Sequence, residues 1–106
     1  MSFRRISTLE SWLDEFRRTQ GAPSGQVRVI PQDGAERSDT GLVVVELSHA
    51  PTVTYLQPDA TDPSRWVVTM ESREDVVVLD AAQMRALAAD LETVGRLCAF
   101  LEQKSS

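Results

Sequence analysis

The sequence predicts an α+β domain: an N-terminal helix, an antiparallel meander of four to five strands, and a long C-terminal helix packed on one face of the sheet. Three observations carry this. Leu9, Trp12, Leu13 and Phe16 recur at helical spacing, residues 42–47 form a valine-rich run, and residues 80–103 contain no proline and one glycine, Gly95. A helix, then strands, then a helix is covered most simply by laying both helices on one sheet face.

The first helix starts at Ser7-Thr8-Leu9-Glu10, which has capping-box spacing, and the motif Gln20-Gly21 followed by Pro23 and Gly25 ends it. Residues 26–30 read as a short strand stopped by Pro31, and the polar segment 31–41 as an exposed loop. Residues 42–57 are too long for one strand. Sixteen residues at ~3.3 Å would span about 50 Å, against a domain diameter of about 35 Å. Ser48-His49-Ala50-Pro51 is therefore expected to be a turn or a sharp bend, the turn being favoured, with alternation resuming at residues 52–56. Pro58 and Pro63 punctuate the next loop. Residues 65–71 and 76–79 then predict a hairpin around Ser72-Arg73-Glu74-Asp75.

Asp80 stands three residues before Gln83 as the cap of the last helix, flanked by Leu79 and Met84. Met84, Leu87, Leu91, Val94, Cys98 and Leu101 form a heptad-like stripe, with Ala81, Ala88 and Gly95 beside it every seventh residue. This stripe is expected on the chain's own sheet. Residues 97–101 are five apolar residues in a row, and Phe100 falls roughly 150° from the stripe at 100° per residue. A helix of about 36 Å would also carry its last turns past the sheet. The first helix or a partner could cover Phe100, and its aromatic character favours a partner. The expected protein interface is thus Arg96, Leu97, Phe100 and Leu101, closed by a two-fold between two copies.

The chain has 106 residues and a formal net charge of −5, enough for a single domain, with residues 1–6 and 104–106 expected flexible and disorder otherwise confined to one loop. Four arginines against three acids leave +1 in residues 1–20 and −6 in the remainder. Polyanions are poor partners for such a surface, so no nucleic acid is expected. No apolar run approaches the ~20 residues of a membrane helix, and none resembles a secretory signal, so no membrane association and a cytoplasmic location are expected.

Chemistry-bearing residues are sparse. His49 is the sole histidine, beside Ser48, and adjacency in sequence is not catalytic geometry. Cys98 lies in an apolar stripe and reads as a small hydrophobe. One Cys and one His fall short of a zinc set, and Asp59 and Asp62 lack the spacing of a calcium loop. Glu71, Glu74 and Asp75 are hairpin-turn charges. Arg4-Arg5-Ile6-Ser7 fits a basophilic kinase pattern, but helix capping already accounts for Ser7. No glycine motif cradles a phosphate. No catalytic, metal or cofactor site is expected.

The α-β-β-β-α order is similar to that of double-stranded RNA-binding domains. Those carry basic residues where this chain has Asp80-Ala81-Ala82-Gln83, which argues against RNA. In size, acidity and element order the chain is also similar to small secretion chaperones that dimerise. The expected function is a non-enzymatic protein-interaction module (adaptor, chaperone-like or regulatory) acting as a homodimer. The alternative is a small-ligand-binding or catalytic domain with a pocket between sheet and helices, lined by Trp66, Tyr55 and His49.

Overall fold

The computed structural model describes residues 4–20, 26–31, 41–49, 52–71 and 76–105. The elements run α1 (Ile6–Gln20), β1 (Gln26–Pro31), β2 (Gly41–Glu46), β3 (Val53–Pro58), β4 (Trp66–Glu71) and α2 (Ala81–Ser105). The sheet is an antiparallel meander in the order β1-β2-β3-β4. Both helices pack on one of its faces, as the α+β reading requires.

α1 buries Leu9, Leu13 and Phe16, with Trp12 half-buried against the same core. Its first bond runs from the Leu9 N–H to the Arg5 carbonyl at 3.0 Å, so Arg5 is the cap and Ser7 lies inside the first turn. The expected Ser7 cap is thereby corrected. Arg4 is also engaged: the Gly41 N–H donates to the Arg4 carbonyl at 3.1 Å, and the Arg4 guanidinium donates to the Pro63 carbonyl at 3.2 Å. Glycine suits this position, because a Cβ at Gly41 would crowd Val29 Cγ1 at 2.8 Å, the Ile30 carbonyl oxygen at 3.0 Å and Ile6 Cγ1 at 3.1 Å. The expected helix stop at Gly21, Pro23 and Gly25 lies outside the described residues.

Register follows the pleat. Val27–Val45, Val29–Val43, Val43–Leu56, Val45–Thr54 and Pro58–Trp66 pair on the helix-facing side. Arg28, Ile30, Leu42, Val44, Tyr55 and Val67 occupy the opposite side, where Arg28 and Glu46 form an exposed ion pair at 2.7 Å. Residues 42–57 do split into two strands at Ser48-His49, and His49 takes a left-handed φ of 63°. Of the expected loop 31–41, Pro31 and Gly41 are instead paired strand ends; residues 32–40 lie outside the described residues, as do Ala50, Pro51 and residues 72–75.

α2 begins with the expected reciprocal cap. The Gln83 N–H donates to Asp80 Oδ1 at 2.8 Å, and the Asp80 N–H donates to Gln83 Oε1 at 3.0 Å. Its buried residues are Asp90, Thr93, Val94, Leu97, Phe100 and Leu101, all in the second two-thirds of the helix. Near its C-terminus two side-chain contacts join it to the rest of the fold. Lys104 Nζ pairs with Glu15 Oε1 at 2.7 Å, and Trp66 Nε1 donates to Ser105 Oγ at 2.9 Å.

The expected fifth strand is corrected. Residues 76–79 belong to no strand, and the reason is where α2 docks. A hairpin with a four-residue turn would set Ala81 opposite Trp66, about 5 Å away. The Trp66 N–H, however, donates to Glu102 Oε2 at 3.0 Å. Ala81 and Glu102 are separated by 21 helical residues, or about 31 Å. Allowing for the reach of the glutamate, Ala81 stays more than about 20 Å from Trp66. Residues 76–79 cannot fold back along β4 while the helix remains docked.

Candidate functional site

Leu97, Phe100 and Leu101 do not form a surface. Leu97 and Leu101 are fully buried and Phe100 is 8% exposed. The Phe100 ring meets Phe16 of α1 edge-on, and Lys104 Nζ lies 5.8 Å from its centroid. Of the four expected interface residues only Arg96 is exposed, and its guanidinium donates to Thr93 Oγ1 at 3.4 Å. Of the two expected covers for Phe100 it is the first helix that lies over the ring: α2 packs on the sheet in a notch between α1 and the edge of β4. Phe100 faces α1, while the Cys98 thiol donates to the Trp66 carbonyl at 3.5 Å. These two residues are about 160° apart around the helix, so the notch buries both flanks.

The open surface lies at the other end of the same helix. Val53, Val68, Met70, Val76, Val77, Val78, Met84 and Leu91 are the exposed large hydrophobic residues, and all but Val53 fall between residues 68 and 91. Val76 and Val78 are 88% and 85% exposed, Met84 52% and Met70 48%. Val68 and Met70 point to the helix-facing side of β4, yet α2 does not cover them. Before Asp90, α2 contributes no buried residue. The heptad stripe is therefore divided: Val94 and Leu101 enter the core, Leu87 and Cys98 are half-buried, and Met84 and Leu91 face outward. Gly95 has open space where a Cβ would sit. An exposed apolar patch that is contiguous in space marks a contact surface more often than a solvated one.

The outer edge of β4 adds backbone groups to that surface. The Asp59 N–H donates to the Arg65 carbonyl at 2.8 Å, so odd-numbered residues of this stretch bond toward β3. Trp66 correspondingly bonds outward, to Glu102 and Cys98. By the same alternation the N–H and C=O groups of Val68 and Met70 point away from the sheet. Among the described residues no strand pairs with them.

The other chemistry-bearing residues do not assemble. Trp66 lies in the core, Tyr55 points to the opposite sheet face and His49 is exposed in its turn, so the three expected pocket residues do not converge. An open cleft of about 290 Å³ lies instead between α1 and β1, lined by Glu10, Asp14, Arg17 and Arg28 among others. Arg17 is already engaged there by Asp14 at 3.3 Å and by the Val27 carbonyl at 2.7 Å. Asp62 Oδ1 accepts bonds from the Ser64 hydroxyl at 2.7 Å and the Ser64 N–H at 3.2 Å; these hold its carboxyl below the usual value. Asp59 accepts from Thr61 at 3.3 Å, so both acids serve their own turn. Among the described residues no group of three or more His, Cys, Asp or Glu side chains could hold a metal ion, and no described helix is long and apolar enough to cross a membrane. Burial, and then the nearby Glu102 carboxylate, push the Cys98 thiol up.

One residue that the sequence reading passed over matters structurally. Asp90 is 1% exposed, and its Oδ2 accepts the Ser48 N–H at 2.8 Å, tying α2 to the turn between β2 and β3. The signal was an acid seated between Leu87 and Val94 on an otherwise apolar arc. No protein-family model, curated protein or solved structure matches this chain.

Proposed function

We propose that the chain is a non-enzymatic protein-interaction module that works as a homodimer, and that its contact surface is the exposed apolar segment between residues 68 and 91. The observation that carries this is the unburied start of α2 with Met84 exposed, together with the exposed Leu91 and the uncovered Val68 and Met70 of β4. Apolar area removed from water contributes about 25 cal/mol per Å². A two-fold contact is the commonest way for one chain to hide such a patch.

Light scattering at micromolar concentration tests the reading. The wild type is expected at twice the 11.8 kDa chain mass. The double variant Met84→Asp, Leu91→Asp is expected at one chain mass with its helix signal intact, because neither side chain supports the protomer core. A wild type that stays monomeric at high micromolar concentration would overturn the proposal.

A further inference from the structure

We infer that the dimer forms by reciprocal strand exchange: residues 76–79 of each copy add to the free edge of β4 in the other. This rests on the homodimer reading above and specifies its mode. Two halves of an unmade pairing stand in one chain. One is the outer edge of β4 at residues 68–71, with the N–H and C=O groups of Val68 and Met70 directed outward. The other is Val76-Val77-Val78-Leu79, three β-branched valines and a leucine without secondary structure, whose valines are 88%, 44% and 85% exposed.

The chain cannot join these halves by itself, because docking of α2 at Trp66 holds Ala81 too far away for a hairpin. A second copy carries no such restraint. The lengths also match: four free edge positions, 68–71, face a four-residue donor, 76–79. Trp66 marks the limit of the free edge, since Glu102 and Cys98 already occupy its N–H and C=O groups. An unpaired apolar edge is the standing hazard of an open sheet, and a reciprocal exchange removes one edge from each copy in a closed pair. Strand addition of this kind takes affinity from main-chain hydrogen bonds and specificity from alternate side chains.

The experiment compares Val77→Pro with Val77→Thr by light scattering and by amide deuterium exchange of the full chain. Proline removes the donor and disfavours pairing, whereas threonine retains strand propensity. Residue 77 lies outside every helix and strand, so circular dichroism should report an unchanged protomer fold for both. Strand exchange is supported if Val77→Pro is monomeric, Val77→Thr is dimeric, and the Val68 and Met70 amides are protected in wild type but exchange at least tenfold faster in Val77→Pro. If the wild type is a dimer, Val77→Pro remains one, and those two amides exchange freely in both, strand exchange is overturned while the homodimer reading stands. A monomeric wild type overturns both.

Discussion

The ring of Phe100 meets the ring of Phe16 edge-on, with centroids 5.4 Å apart and planes inclined by 62°. This contact joins the first helix to the last across 84 residues of sequence and closes the top of the core. Truncation should therefore act on stability and not on assembly. We expect Phe100→Ala to cost about 3–5 kcal/mol in urea unfolding, and Phe100→Asp to abolish the cooperative thermal transition. A folded, monomeric Phe100→Asp protein would contradict this placement.

Asp90 and His49 hold opposite ends of one arrangement. The Asp90 carboxylate satisfies the Ser48 N–H, while the next residue takes φ 63°. Asp90→Ala should destabilise the protein by about 1–3 kcal/mol, because a part-buried N–H loses its acceptor. His49→Gly should stabilise it by about 1 kcal/mol through relief of the left-handed conformation. Chemical denaturation of each variant, and of the pair, measures both effects and their coupling.

Thr54 is fully buried between β2 and β4, and its hydroxyl has no hydrogen-bond partner. A valine of nearly the same shape would keep the packing and remove the unpaired group. Thr54→Val is expected to raise unfolding free energy by about 1 kcal/mol, readable as a higher urea midpoint with an unchanged slope.

The Cys98 thiol titrates above its ordinary value because burial, and then Glu102, disfavour the thiolate. The folded state therefore holds the proton more tightly than the unfolded chain. The stability this confers is complete below the unfolded value, about pH 8.5, and is lost as pH rises through the higher folded value. Cys98→Ala should remove that alkaline component of the stability profile. Alkylation of the native protein at pH 7–8 should be slower than that of the urea-unfolded chain.

Local patterns in the sequence identified α1, the four strands, the division of residues 42–57 and the cap at Asp80-Gln83. Each of these is encoded within a few residues by periodicity, β-branching or a capping pair. The fifth strand and the Phe100 surface were not legible, for a common reason: both depend on where α2 docks. A helical wheel ranks faces but does not say that two of them will be buried, one on Phe16 and one on the edge at Trp66. The same docking decides which end of the helix is left exposed, and no spacing of Met84, Leu91 or Leu97 contains that information. Asp90 was legible in principle as the acid among apolar neighbours.

The paired bonds between Asp80 and Gln83 bear on how quickly a partner could be captured. A helical start that leans on no core would tend to fray, and this one ties down two of its loose backbone ends within its own first turn. Met84 and Leu91 are thus carried on a rod that is rigid before any encounter. The helical part of the contact therefore demands little ordering, and the ordering cost of binding falls on residues 76–79, which take up strand pairing only in the partner.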